Sequence, residues 1–184
     1  GARQYGADHL IGYAQVQNRG RLGQLVVGSY QAAFGHGLAL WTGTRFASAY
    51  GTPHVLIRQG SGLRPYRGTS PHTYFRGVGA TVRIMPRVDA TAFVSHRNRD
   101  ATLDTLQQGA IVARSLRSTS LRRTTTERQY RRVLPTTHVG GHMQWSIPKL
   151  RVGLLGLYAQ FAHPLLPETR PDTRFQFAGQ WTTH

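Results

Sequence analysis

Apolar and polar residues alternate with a period of two along much of the chain. From Val139 to Ile147 the odd positions are apolar or small, whereas the even positions from His138 to Ser146 are mostly polar. Successive side chains of a strand point to opposite faces, so this alternation predicts a strand with one apolar and one wet face. Strands are also predicted in six further segments: 9–18, 22–31, 72–84, 88–95, 150–162 and 173–181, and 150–162 has apolar residues on both faces.

The predicted connections differ in length on the two sides of these strands. Tight hairpin turns are predicted at 18–20, 85–87 and 148–149, where Asn, Gly or Pro supplies the backbone geometry of a turn. Longer, polar loops are predicted at 51–71, 98–108 and 163–173, and the first and the last of them contain proline. Short turns opposite long loops are typical of an outer-membrane barrel, although a soluble meander or sandwich has the same layout.

One segment breaks the alternation. Between Thr124 and Val133 hydroxyl residues precede a run of helix formers, and Pro135 follows shortly. A hydroxyl N-cap ahead of such a run predicts a short inserted helix that ends before the proline.

Composition narrows the function classes. The chain has 184 residues and no cysteine, which excludes disulfides, thiol catalysis, zinc fingers and iron–sulfur clusters. No apolar run approaches the length of about 18 residues that a transmembrane helix requires, whereas the strands of a membrane barrel are shorter and half apolar. The chain starts at Gly1 without a signal region and stops at His184 after a strand-like run, so we expect a mature protein or a fragment.

The charge is strongly positive and almost entirely arginine. Lys plus Arg number 23 against 7 Asp plus Glu, for a formal net charge of +16, and Lys149 is the single lysine. Such a charge predicts an anionic partner: nucleic acid, acidic glycan or lipid headgroups. The preference for arginine over lysine has two interpretations. It reflects either a GC-rich coding bias or selection for planar hydrogen-bond donors that bind phosphate and carboxylate groups. Composition does not separate them.

Aromatic residues and glycines bear on the choice between barrel and soluble sheet. Several predicted strands have the roughly 9–11 residues that cross a bilayer obliquely. Rings near strand ends either form interfacial girdles or fill a soluble core. The glycines inside the strands permit sharp curvature and favour a barrel. The rings in question are Tyr13, Tyr30, Trp41, Tyr74, Trp145, Tyr158 and Trp181.

Three ordered blocks resemble a known family. The first block runs from Gly28-Ser29-Tyr30 through Phe34-Gly35-His36-Gly37-Leu38 to Trp41 and Gly43. The second block consists of Arg64-Pro65-Tyr66-Arg67 followed by Phe75-Arg76-Gly77-Val78. The third block runs from Arg122-Arg123-Thr124 to Glu127. Together they are similar to Bacteroidota outer-membrane β-barrel proteins that carry an N-terminal helix-hairpin-helix region.

The resemblance implies that this chain corresponds to part of the barrel, in the outer membrane of a Gram-negative bacterium. It departs from the family at His36, where glutamine is more usual, and around Pro71-His72, where an acidic residue is expected. The helix-hairpin-helix region has no counterpart in this sequence, so a role in DNA handling follows by analogy alone and attaches to no residue.

No catalytic constellation is present, and we expect no enzyme activity, cofactor or metal. His138 and His142 lie four residues apart on one strand, which places their Cα atoms about 13 Å apart, too far to share a metal ion. Asp100 and Asp104 are the one close carboxylate pair and fall in a predicted loop without a nucleophile at fixed spacing. His138 and His142 are predicted to face the lumen or solvent.

Arginine clusters are the remaining signal, interpreted as an anion-binding rim or lumen or, alternatively, as a solvated charged face. The first cluster lies in the predicted 51–71 loop and the strand after it, and the second surrounds the predicted helix, where Arg128, Arg131 and Arg132 share one face. The candidate anion-binding residues are Arg64, Arg67, Arg76, Arg122, Arg123, Arg128, Arg131 and Arg132.

The sequence therefore predicts an all-β, antiparallel transmembrane β-barrel, or a fragment of one, over residues 1–184. It would contain about eight to ten strands and one short inserted helix. Its expected function is a pore, binding or envelope-assembly subunit, with membrane lipid, other envelope subunits, and a polyanion such as DNA or lipopolysaccharide as partners. The alternative is a soluble, basic β-protein whose strand aromatics stack on the bases of a nucleic acid.

Overall fold

The computed structural model describes residues 11–35, 40, 60–68, 73–105, 109–116, 133–166 and 178–183. Within these ranges the chain is all-β, as the sequence predicts. The strands are β1 (Tyr13–Arg19), β2 (Leu22–Ala33), β3 (Gly62–Pro65), β4 (Phe75–Met85), β5 (Val88–Arg99), β6 (Ala101–Thr105), β7 (Ile111–Leu116), β8 (Leu134–Ile147), β9 (Leu150–Leu165) and β10 (Gly179–Thr183).

These strands form one open sheet in the order β1-β2-β4-β5-β8-β9-β7-β6, with β3 also on β2 and β10 also on β9. Every pairing is antiparallel except the short parallel contact of β7 with β9. Three hairpins (β1–β2, β4–β5 and β8–β9) close through two-residue connections, which confirms the predicted turns. Asn18 and Arg87 adopt positive φ values of 53° and 76° there, the left-handed conformation that tight turns use. All three turns lie at one end of the sheet, called here the hairpin end.

The end of β2 folds over one face of the sheet. Phe34, just after β2, stacks on His142 of β8 with ring centroids 4.5 Å apart, although His142 is in register with Gln24, ten residues before Phe34. β2 pairs with β4 only up to Tyr30 and with β3 from there to Ala33, so its end leaves the main row of strands. The covered face is called here the concave face and the opposite one the convex face.

The main core lies on the concave face and is largely aromatic. Tyr30 contacts Phe75 and Phe93 with centroids 5.8 and 6.5 Å apart, and Phe34 stacks on Phe93 at 6.0 Å. Leu63 of β3 completes this cluster. A smaller core at the far end of the sheet joins β6, β7, β8 and β9 through Ala101, Ala113, Leu134, Phe161 and Leu165.

Parts of the predicted loops are strands. β3 lies within the predicted 51–71 loop, β5 and β6 occupy most of 98–108, and β9 continues to Leu165. These segments pair with neighbours that the local sequence does not reveal: β3 with the end of β2, and β6 with β7. The predicted helix at 124–133 lies outside the described residues except for Val133, which is not in a strand.

Among the described residues, no helix has the length and apolar character needed to cross a membrane.

Candidate functional site

The convex face is an exposed apolar band built from side chains in cross-strand register. One row runs through β1, β2, β4, β5, β8 and β9 as Ala14, Val27, Val78, Val94, Val139 and Tyr158. The next row is Val16, Leu25, Ala80, Ala92, Gly141 and Gly156, and two further rows contain Val82, Ala90, Met143 and Leu154, and then Val88, Trp145 and Val152. Leu154 is 76% exposed and Met143 51% exposed. An apolar surface continuous over six strands is far larger than a folded chain normally leaves to water.

Polar residues bound this band at both edges. Beyond the valine row the convex face carries His96 and Thr137, whose Nδ1 and Oγ1 atoms are 2.9 Å apart, next to Gln160. At the other edge, the hairpin end exposes Arg21, Arg87 and Lys149.

The height of the band follows from β8. The eight steps from Val139 to Ile147 extend about 27 Å along the strand, which at a tilt of about 40° gives a height of about 21 Å. That height approaches the roughly 25 Å apolar band of outer-membrane barrels.

The predicted faces are confirmed where the structure describes them. Val139, Met143 and Trp145 are exposed on the convex face, and Trp181 is 62% exposed. His138, His142 and Gln144 alternate with the first three residues and lie on the concave face. The prediction that both histidines face open lumen or solvent was wrong, because His142 is buried against Phe34 and His138 packs against Phe75. Of the second predicted strand, 173–177 lies outside the described residues.

The aromatic residues divide between the edges of the convex band and the core. Trp145 lies near the hairpin edge of the band, and Trp181, paired with Gln160, lies at the opposite edge. Tyr30 and Tyr74 are buried, and Tyr30 Oη donates a hydrogen bond to Val94 O at 2.9 Å. Trp41 lies outside the described residues.

A glycine makes room for the central ring of the concave core. A Cβ atom at Gly140 would lie 2.2 Å from Cζ of Phe93, so the ring packs directly on the backbone of β8. The glycine thus allows the ring to approach the strand closely.

Towards the hairpin end the concave face becomes a polar cleft of about 890 Å³, the hairpin cleft. A cross-strand row of Gln24, Thr81, Thr91 and His142 forms its floor, and the Thr81 and Thr91 hydroxyl oxygens are 2.9 Å apart. The charged residues of its lining are Arg83, Asp89, Lys149 and Arg151. Asp89 Oδ1 lies 3.4 Å from Arg83 Nε. Because the lining contains three cationic side chains and one carboxylate, the cleft attracts anions.

A second cleft of about 850 Å³ lies beside β1 and β3, the glutamine cleft. Among its lining residues are four glutamines and both arginines of the Arg-Pro-Tyr-Arg block: Gln15, Gln17, Gln24, Gln31, Arg64 and Arg67. Arg67 Nε donates to Tyr13 Oη at 3.2 Å. No carboxylate is among the described residues that line it.

Two arginines at the far end of β5 were not singled out in the sequence. The Arg97 guanidinium lies 4.2 Å from the centroid of the Tyr74 ring and donates to the Tyr74 carbonyl oxygen. Burial, and then the positive charge of Arg97, lower the pKa of the Arg99 guanidinium. Arg97 and Arg99 follow Phe93 and Ser95 at every second position of β5 and therefore lie on the concave face. This alternation is the sequence feature from which their position could have been predicted.

The predicted anion-binding residues are only partly brought together. Arg64 and Arg67 line the same cleft, whereas Arg76 alternates with the inward Phe75 and lies on the convex face. The remaining five, Arg122, Arg123, Arg128, Arg131 and Arg132, lie outside the described residues.

Acidic and histidine residues are dispersed. Asp104 belongs to β6 rather than to a loop, and its Oδ2 lies 3.0 Å from Arg114 Nε. His138 packs edge-on against Phe75 at 5.2 Å, while His142 stacks on Phe34. No group of three or more His, Cys, Asp or Glu side chains suited to a metal ion occurs in the part of the chain that the structure describes.

Comparison with known proteins found no matching family model, no matching curated protein and no matching solved structure. The resemblance to Bacteroidota outer-membrane barrels therefore stays a prediction.

Proposed function

We propose that this chain forms the wall of an outer-membrane β-barrel, or a segment of one, and acts as an anion-binding envelope component. The supporting observation is the convex apolar band, which runs in register from β1 to β9 between two polar edges. Full burial of an aliphatic side chain is worth about 1.5–3 kcal/mol, so in water each half-exposed side chain of this band would forgo about half of that free energy. Lipid chains recover that free energy along the whole band.

The concave face supports the second half of the proposal. In a membrane barrel this face lines the lumen, where polar and charged side chains meet water. Both clefts carry guanidinium groups, and Arg64 and Arg67 stand among amide side chains without a carboxylate in the described lining. Such a surface concentrates anions and excludes cations.

The concave face is better suited to binding an anion than to conducting ions through an open channel. The aromatic cluster around Phe93 and the β3 residue Leu63 occupies the centre of this face, and Leu63 lines both clefts. Small barrels whose interior is filled by side chains leave no continuous aqueous channel. The two clefts share Gln24, Ser61 and Leu63 in their linings and so adjoin one another on this face.

Site-directed spin labelling tests the assignment of the two faces directly. The chain contains no cysteine, so a single introduced cysteine carries the only nitroxide. In vesicles, spin labels at convex positions should collide often with oxygen, which dissolves in lipid. Spin labels at concave positions should instead collide often with a water-soluble nickel chelate. Each convex position has the next residue of its strand as the control: Val16 with Gln17, Val82 with Arg83, and Met143 with Gln144.

The rival function gives a different result in the same experiment. A soluble nucleic-acid-binding sheet stays folded and monomeric in buffer without detergent, and its convex labels collide with the nickel chelate. Equal nickel accessibility within all three pairs would overturn the membrane assignment.

A further inference from the structure

The glutamine cleft combines two kinds of polar group in one concavity. Gln15 and Gln17 follow each other on the concave face of β1, about 7 Å apart. Gln17 pairs directly with Gln24 of β2, so three amides form a right-angled array on two adjacent strands. Arg64 and Arg67 border the same space from β3 and the residues that follow it.

Gln17 is exposed and Gln15 is partly exposed, so these two amides of the array are open to a ligand's hydroxyl groups. Each glutamine offers two N–H donors and a carbonyl acceptor, which suits hydroxyl groups that both donate and accept. Gln24 Nε2 is buried and has no hydrogen-bond partner, a state that normally costs about 1–3 kcal/mol. Gln31 by contrast already donates to Thr73 O at 3.3 Å, which fixes that side of the cleft.

The guanidinium groups add a requirement for negative charge. Arg64 is exposed, and Arg67 is held in place by its hydrogen bond to Tyr13 Oη and by the Tyr13 ring, whose centroid lies 5.9 Å from its Cζ. Planar guanidinium groups bind carboxylates through paired hydrogen bonds. A ligand that satisfies both sets carries hydroxyl groups and an acid group.

The cleft does not suit base stacking. Tyr66, an aromatic residue in its lining, is 2% exposed and its ring is already stacked on Tyr74 with centroids 4.8 Å apart. Single-stranded nucleic acids bind through open aromatic faces on which successive bases stack. An acidic saccharide needs no such platform here.

We propose that the glutamine cleft binds an acidic saccharide, with the amides on its hydroxyl groups and the two arginines on its carboxylates. The proposal rests on the proposed function, in which the concave face lines the lumen, and it names the class of anion. The cleft volume of about 850 Å³ lies within the range of small-molecule sites, roughly 300–1,000 Å³, and accommodates a short oligosaccharide.

Calorimetry on the full chain in detergent micelles tests this with three probes: trigalacturonate, the neutral maltotriose and inorganic phosphate. Trigalacturonate should bind at least tenfold more tightly than either of the others, because only it engages both sets of groups. Arg64→Gln should weaken its binding about tenfold or more, as expected for loss of a charge-assisted hydrogen bond, and Gln17→Leu about fivefold. Arg21→Gln at the hairpin end is the matched control and should leave binding unchanged.

A size-conserving variant guards against misfolding. Gln15→Glu keeps the shape of the side chain but places a negative charge in the cleft, so it should abolish trigalacturonate binding and leave the weak maltotriose binding intact. Phosphate binding as tight as trigalacturonate binding, with Gln17→Leu without effect, would show a simple anion site and overturn the proposal. Maltotriose binding as tight as trigalacturonate would overturn the role of the arginines.

The two proposals fail in distinguishable ways. Spin labels at the convex positions report lipid contact whether or not a saccharide binds. Lipid contact without trigalacturonate binding overturns this inference alone, whereas trigalacturonate binding with convex labels in water overturns the membrane assignment alone.

Discussion

A charge placed at increasing depth in the convex band should cost increasing free energy. Met143 lies in the middle of the five convex positions of β8, between Ala90 and Leu154 in its cross-strand row. Val139 lies in the row next to the polar edge. We therefore consider Met143→Arg and Val139→Arg, with Gln144→Arg as the control on the concave face.

The expected magnitudes follow from position. Arginine on the lipid-facing surface costs about 2–4 kcal/mol near the bilayer midplane and about 0–1 kcal/mol near the interface. Val139 is two rows, or about 14 Å of strand, from Met143, which corresponds to about 10 Å of depth at a tilt of about 40°. Met143→Arg should thus cost about 2–4 kcal/mol, Val139→Arg about 1 kcal/mol, and Gln144→Arg little.

Reversible urea unfolding in lipid vesicles measures these differences, because Trp145 and Trp181 lie at the band edges and report the loss of lipid contact by fluorescence. The main expectation is the order of the losses in unfolding free energy, with Met143→Arg the largest and Gln144→Arg the smallest. Equal, small losses below about 0.5 kcal/mol for both convex variants would show that water already surrounds the band and would refute the membrane assignment.

Two further changes test the concave core in the same unfolding assay. Gly140→Ala places a Cβ atom 2.2 Å from the ring of Phe93 and should destabilise the fold by about 1–3 kcal/mol, whereas Gly156→Ala, with no atom within 4 Å, should be nearly neutral; equal effects would contradict the packing of the ring on β8. Tyr30→Phe removes the hydrogen bond to Val94 O and should cost about 0.5–1.5 kcal/mol, and no loss would show that this bond contributes nothing to stability.

The long strands with at least one apolar face were predictable, whereas the short strand β3 was not. In β8 each apolar residue alternates with a polar one, so the period alone predicted both the strand and the faces of Met143 and Gln144. β3 contains Gly62 and Pro65, residues that ordinarily mark loops, and forms a strand because it pairs with Tyr30–Ala33. That pairing partner lies some thirty residues away, and no local pattern encodes it.

The candidate site was predictable in its charges but not in its geometry. The Arg-Pro-Tyr-Arg block identified Arg64 and Arg67, yet proximity in sequence also suggested Arg76, which strand alternation turns to the other face. The glutamines were visible as wet-face residues, but their meeting depends on the register that sets Gln17 opposite Gln24. Register is decided by the burial of whole faces, so it emerges only when the sheet forms.

The division of the sheet into two faces explains why the arginines are useful where they lie. A charged side chain is costly in lipid and inexpensive in a water-filled lumen, so in the proposed membrane barrel only the concave face and the two edges would suit cations. Arg64, Arg67, Arg83 and Arg151 line the concave clefts, and Arg21, Arg87 and Lys149 lie at the hairpin edge, while the four apolar rows between the edges contain no charged residue. A coding bias that replaces lysine by arginine explains the identity of these cations but not their positions. Their exclusion from the band is a property of the fold, and it is the reason to seek the ligand on the concave face.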